Sequence, residues 1–199
     1  MNAAIFGGTF DPVHRGHLAV ARAAARRFRL DRIYFVPADL PPHKQKRAIT
    51  PFLHRYAMLT LALAGEERFV ASAAEHAAGA RRPNYTVETV ARFRRSLKKG
   101  DRLYLLVGAD QFRDLGRWYR AEALLRQVEV IVATRPGSSL AQGWAKLPRG
   151  ARVLVLETHE AVSATEVRRR AARGRALGRL LPPAAAEYIR KTGLYRGRG

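Results

Sequence analysis

Two histidines, His14 and His17, stand three positions apart and shortly after a glycine pair, in the run Gly7-Gly8-Thr9-Phe10-Asp11-Pro12-Val13-His14-Arg15-Gly16-His17. If a helix begins around Gly16, residues three apart share one face, and both imidazoles can donate to the same anion. Glycines let the chain turn tightly and bring bare backbone N–H groups close to a ligand, and a helix N-terminus adds unpaired donors and a partial positive charge. The chemistry this suits is phosphate binding. Taken singly, each feature has a plainer reading: a glycine pair after a strand is often only a turn, and His-x-x-His fits a metal pair or two surface histidines. The order of glycine pair, hydroxyl, Asp-Pro stop, His-x-Gly-His and helix start narrows the reading. The dehydrogenase fingerprint G-x-G-x-x-G does not match, because no glycine follows Gly7-Gly8 until Gly16.

A second group lies in Val162-Ser163-Ala164-Thr165-Glu166-Val167-Arg168. Ser163 suits a helix N-cap and Glu166 completes a capping box, which accounts for two residues by local structure alone. Arg168, one turn in, is left over. A helix start carrying hydroxyls at Ser163 and Thr165, followed by a permanently charged guanidinium fork, suits a polyphosphate. Trp118, between Arg117 and Tyr119 and after a glycine, reads on its own as a core plug.

These residues need strands and helices to place them. Short apolar runs recur at Ala3 to Phe6, Ile33 to Val36, Phe69 to Ala71, Leu103 to Val107, Val128 to Ala133 and Val153 to Leu156, with helical patterns between most of them. That alternation predicts an α/β fold, a largely parallel sheet with helices on both faces. The first motif joins the first strand to an alanine-rich amphipathic helix over Leu18 to Phe28. Thr50 and Pro51 read as N-cap and first-turn proline of a helix to about Ala64, with Leu53, Ala57, Leu61 and Ala64 as its inward stripe. Thr86 reads as the cap of another helix that turns Val87, Val90, Ala91 and Phe93 inward and Arg92 and Arg95 outward. Residues 39–50 and 135–149 read as polar loops, and basic loops beyond the C-terminal strand ends are candidate lids. The stretch from Ala164 to Tyr195 reads as two helices, divided around Leu181-Pro182-Pro183 and packed on one domain spanning residues 1–199.

The chain has 199 residues, 37 of them Lys or Arg and 16 Asp or Glu, for a net charge of +21. This invites a nucleic-acid reading. Against it, the basic residues are mostly arginines spread along the chain and accompanied by many alanines, and two of three clusters alternate with apolar residues at helical spacing. Such a field attracts nucleotides and RNA alike without specifying one. No apolar run reaches membrane-spanning length and no leader pattern opens the chain, so we expect no membrane partner and a cytoplasmic location. Cysteine is absent, which removes disulfides and thiolate zinc sites.

The first motif closely resembles the signature of the HxGH nucleotidyltransferases, and in particular of the bacterial nicotinate-nucleotide adenylyltransferase family. Val162 to Arg168 resembles the I-S-S-T-x-x-R motif of that family, with Ala164 in place of its second serine. Pro41-Pro42-His43-Lys44, Arg55 to Met58, Asn84-Tyr85-Thr86 with Glu88-Thr89, Gly108-Ala109-Asp110 with Trp118-Tyr119, Arg135-Pro136-Gly137 and the C-terminal Gly193-Leu194-Tyr195 resemble further family segments in the same order.

The resemblance implies a Rossmann-like nucleotidyltransferase fold with a C-terminal helical extension. It implies an enzyme that joins ATP and nicotinic acid mononucleotide, with Mg²⁺ carried on the ATP phosphates rather than in a protein cage, and no specific nucleic-acid partner. His14, His17, Lys44 and Arg168 are its expected catalytic residues. Gly7, Gly8, Thr9, Phe10, Gly108, Asp110, Ser163, Thr165 and Arg168 are expected on the ATP side, with Asp110 near ribose or metal. Tyr85, Thr86, Trp118, Tyr119 and Arg135 are expected around the mononucleotide, the indole stacked on its pyridine ring. Nicotinamide mononucleotide and phosphopantetheine are the competing substrates. A non-enzymatic RNA-binding module is the alternative from another class, but it leaves both motifs unexplained.

Overall fold

The computed structural model describes residues 1–39, 49–76, 84–159 and 162–196. Six strands form one parallel sheet: β1 (Asn2–Gly8), β2 (Arg32–Pro37), β3 (Phe69–Ala71), β4 (Arg102–Gly108), β5 (Glu129–Thr134) and β6 (Val153–Glu157). Their spatial order is β3-β2-β1-β4-β5-β6. The chain therefore winds outward from β1 in one direction and, after β3, returns to β4 on the other side. The crevice at such a reversal, beyond the C-terminal ends of the strands, is where open α/β sheets bind ligands. Here β1 and β4 end in Gly8 and Gly108.

The helices are α1 (Arg15–Arg27), α2 (Phe52–Leu63), α3 (Thr86–Ser96), α4 (Ala109–Asp114), α5 (Ala121–Leu125), α6 (Ala141–Trp144), α7 (Ala164–Ala172) and α8 (Pro183–Thr192). Strand side chains alternate between two apolar layers, as the two-residue period requires. Ala4, Phe6, Phe35, Leu106 and Ile131 pack with buried residues of α1, α2, α7 and α8 on one face. Ala3, Ile5, Leu105, Val107 and Val130 pack with Val90, Phe112 and Leu124 on the other. Leu181, Ala185 and Ile189 sit in the first layer, which is how the C-terminal helices join the sheet.

Several local expectations need correction. The inward face of α2 is Phe52, Arg55, Met58, Leu59, Ala62 and Leu63, whereas Leu53 is 68% exposed and Ala64 is also exposed. Apolar residues occur on both sides of this helix, and a buried arginine hid the true stripe. Pro51, not Thr50, occupies its N-cap. Tyr85, not Thr86, caps α3, Thr89 joins its buried face, and Arg92 turns toward the preceding segment to donate to the carbonyl of Ala74. The stretch 135–149 contains α6 and is not wholly loop. Most of the expected 39–50 loop lies outside the described residues.

Candidate active site

The turn from β1 to α1 is built by close contacts that explain its glycines and histidines. Phe10 lies in the left-handed region at φ 47°, which an L side chain rarely adopts, and its ring is buried against Phe6, Phe35 and His17. A Cβ on Gly8 would stand 3.0 Å from that ring. His14 is the N-cap of α1, and its backbone N–H donates to Nδ1 of His17 at 3.2 Å, so an imidazole here serves as the returning half of a capping box. The two rings stack with centroids 3.7 Å apart. A Cβ on Gly16 would meet the His14 ring at 3.1 Å and the Val162 carbonyl at 3.3 Å. The glycine of His-x-Gly-His thus makes room for the first histidine and for the segment that leads into α7.

That close approach brings the N-termini of α1 and α7 together. Each carries a partial positive charge, although Arg15 N–H already donates to the Leu180 carbonyl and Glu166 N–H to Ser163 Oγ, so the pair favours an anion more than either alone. Arg168, one turn into α7, donates from Nη1 to the carbonyl oxygen of Asp11 at 2.6 Å and from Nη2 to Oγ1 of Thr165 at 3.3 Å. Burial lowers the pKa of His14 to about 4 and that of His17 well below its ordinary value. His14 Nδ1 is buried and meets no hydrogen-bond partner among the described residues, an arrangement that costs about 1–3 kcal/mol until a ligand or solvent meets it.

These residues wall one end of a cleft of about 1240 Å³ that runs along the C-terminal ends of the strands. The cleft wall includes Gly7, Gly8, Thr9, Phe10, His14, His17 and Arg168 at this end, with Gly108 and Asp110 at the end of β4. Tyr85, Thr86, Trp118, Tyr119 and Arg135 line it as well. The Tyr85 and Tyr119 rings meet at 4.4 Å, joining the start of α3 to the segment after α4. Trp118 is only partly buried and lines the cleft, so it is not an enclosed core plug.

Two expected residues stand back from this wall. Ser163 Oγ accepts from the backbone N–H of Glu166, and the Thr165 hydroxyl accepts from Arg168, so both hydroxyls are engaged within α7. Phe10 lines the cleft but is only 2% exposed as a whole residue. Lys44 and the rest of Pro41-Pro42-His43-Lys44 lie outside the described residues.

Three contributors were not expected. Arg55 is 1% exposed and donates from Nε to the Thr50 carbonyl at 2.7 Å and from Nη1 to the Thr9 carbonyl at 2.8 Å, holding the turn from behind. Glu75 lines the cleft near Asn84 and Tyr85, and burial raises its pKa to about 7. Asp11 accepts from the Tyr195 phenol at 2.6 Å. The resemblance of Arg55 to Met58 to the family's R-x-x-M segment was a faint signal for Arg55. Glu75 stands in no pattern that marks it.

The sequence profile of the cytidylyltransferase-like family matches residues 5–170. A protein of Rubrobacter xylanophilus named "Probable nicotinate-nucleotide adenylyltransferase" is 40% identical over 98% of this chain and 92% of its own length. One of Solibacter usitatus with the same name is 40% identical over 98% of this chain and all of its own. The chain belongs to the nicotinate-nucleotide adenylyltransferase family. In fold it is similar to the Plasmodium falciparum nicotinic acid mononucleotide adenylyltransferase complexed with NaAD, with a TM-score of 0.78 at 19% identity, over 98% of this chain and 97% of that one. Within the family frame, Gly16, Asp11 and Arg55 acquire local reasons in this chain: they shape and brace the turn that carries His14 and His17. Among the described residues no helix is long and apolar enough to cross a membrane, and no group of three or more His, Cys, Asp or Glu side chains is arranged to hold a metal ion.

Proposed function

We propose that the protein joins ATP to nicotinic acid mononucleotide, releasing pyrophosphate and nicotinic acid adenine dinucleotide, a step of NAD biosynthesis. The observation that carries this reading is one cleft with two chemically different ends. One end has two helix N-termini, a stacked histidine pair and Arg168. The other has Trp118, Tyr119, Tyr85 and the start of α3.

The mononucleotide phosphate is already anionic at neutral pH, so its oxygen attacks the α-phosphorus of ATP without a serine, a cysteine or a strong base. The P–O bond to the β-phosphate breaks and pyrophosphate leaves with the electron pair. Catalysis is then alignment and charge neutralisation. With Nδ1 accepting from the His14 backbone, neutral His17 carries its proton on Nε2 and remains a donor for a phosphate oxygen. His14, Thr9 and Arg168 are its partners at the triphosphate, beside the backbone of Gly7 and Gly8. Gly108 and Asp110 lie toward the adenosine, and Ser163 and Thr165 act by shaping the start of α7. The donors at this end of the cleft are N–H, imidazole and guanidinium groups, which fit anionic oxygens rather than a bare cation. Bound Mg²⁺ would be held by the ATP phosphates, beside His14, His17 and Arg168, and would supply charge neutralisation there.

At the other end, the first-turn N–H groups of α3 and the backbone near Tyr119 face a carboxylate better than an amide, whose NH₂ would confront a donor. Glu75 is compatible with an acidic ligand because a carboxyl titrating near neutrality is readily kept protonated beside one. An unmet buried donor costs about 1–3 kcal/mol, roughly 5- to 150-fold in kcat/KM. The test is pyrophosphate release from Mg-ATP with nicotinic acid mononucleotide, nicotinamide mononucleotide or phosphopantetheine, each supplied alone. We expect the acid to be used best. Equal use of acid and amide would refute carboxylate recognition, and release with phosphopantetheine alone would reassign the reaction.

A further inference from the structure

Residues 9–13, between β1 and the cap of α1, belong to no strand or helix, so the position of the turn rests on groups that reach it from elsewhere. Asp11 is where they converge. The Tyr195 phenol, 184 positions later, donates to Oδ1 at 2.6 Å. The backbone N–H of Thr50 donates to Oδ2 at 3.3 Å. The backbone carbonyl oxygen of Asp11 accepts from Arg168 Nη1 at 2.6 Å. Asp11 is buried, and Tyr195 sits in the left-handed region at φ 63°, a conformation disfavoured for a tyrosine, where the chain leaves α8. Burial beside a carboxylate pushes the phenol pKa upward, which keeps Tyr195 a donor.

We infer that Tyr195 is a positioning residue for phosphate chemistry: by anchoring the Asp11 side chain, it fixes the backbone carbonyl that holds the Arg168 guanidinium at the cleft. The inference rests on the reading of this end of the cleft as a polyphosphate site. Its physical basis is the economy of the turn. The Asp11 side chain and its carbonyl share one residue, so freeing the carboxylate frees the carbonyl to shift, and Arg168 loses its register while keeping its charge. Placement errors of this kind act on turnover more than on binding of the second substrate.

The experiment is a double-mutant cycle with Tyr195→Phe and Arg168→Ala, read by pyrophosphate release from Mg-ATP and nicotinic acid mononucleotide, with melting temperatures recorded. Tyr195→Phe keeps the ring and removes the hydroxyl, which donates to Asp11 and is also bonded to the Thr50 side chain. We expect it to lower kcat about tenfold, a fraction of what hydrogen bonds to charged groups are worth, with KM for the mononucleotide changed by less than about twofold. In the Arg168→Ala background the same change should have almost no effect, because the residue it acts through is gone. A tenfold loss in both backgrounds would mean that Tyr195 merely stabilises the fold and would overturn the inference, as would an unaltered kcat for Tyr195→Phe. If Tyr195→Phe does not fold, Asp11→Asn enters the same cycle with the same expectation and the same contrary result. Absence of pyrophosphate release from the wild-type chain is a different failure: it removes the reading of the cleft itself.

Discussion

The rings of His14 and His17 stack at 3.7 Å and 26° while the backbone N–H of His14 donates to Nδ1 of His17. Two cationic rings cannot sit so close out of water, and burial depresses both pKa values, that of His14 to about 4. Both rings are therefore neutral at pH 7, with the His17 proton on Nε2. Long-range ¹H–¹⁵N spectra of the free protein should show that tautomer and a His14 titration near pH 4, with the midpoint moving up when a non-hydrolysable ATP analogue binds. As pH falls below 6.5 the unfolded chain takes up these protons first, so their contribution to stability is lost as the pH drops toward 4. A His14 midpoint at the ordinary imidazole value would contradict the buried geometry.

His17→Ala removes the donor and also the acceptor for the backbone N–H of His14. Donors aimed at charge that develops in the transition state are worth about 10²–10³ in turnover, so kcat should fall at least that far with the fold preserved by circular dichroism. Near-normal turnover in a folded variant would show that the reacting phosphate lies elsewhere.

Trp118→Ala should weaken use of the mononucleotide by several-fold to tens-fold, the size expected of aromatic stacking, with little change in KM for ATP. The partial burial of this indole on the cleft wall makes loss of the whole fold the contrary outcome.

Glu75 accepts from the Thr89 hydroxyl at 2.9 Å, and Arg92, Asp39 and Arg55 act on it electrostatically. Its folded pKa of about 7 lies above the ordinary 4.5, so its contribution to stability is complete below the lower value and is lost as pH rises through the higher one. Glu75→Gln cannot ionise. Relative to wild type it should gain roughly 1–3 kcal/mol of unfolding free energy between pH 5 and pH 8, measured by urea titration. A pH-independent difference would mean that Glu75 stays ionised throughout.

The strand runs were legible because a doubly covered parallel sheet needs continuous apolar strands, and all six observed strands overlap the expected ones. The chemistry of the turn was legible because His14, Gly16 and His17 are neighbours in sequence. What escaped depended on residues brought together across the chain. The inward face of α2 was misread because Arg55 is buried by carbonyls of Thr9 and Thr50, and nothing in its own helix reports them. Glu75 and Tyr195 escaped for the same reason: their partners are Thr89 and Asp11. Ser163 was legible as a cap, and its Oγ accepts from the Glu166 N–H; that Thr165 Oγ1 accepts from Arg168 was not legible.

The central place of β1 in the sheet bears on how the protein is made. Its pairing with β2 involves only residues up to Pro37, whereas its other edge waits for β4, beginning at Arg102. A nascent chain emerging from the ribosome can thus assemble one flank of the cleft long before the other exists. Asp11 receives its bond from Tyr195 only after all six strands have been synthesised. A polypeptide that lacks Tyr195 therefore keeps every strand of the sheet and loses the bond that fastens the turn between β1 and α1.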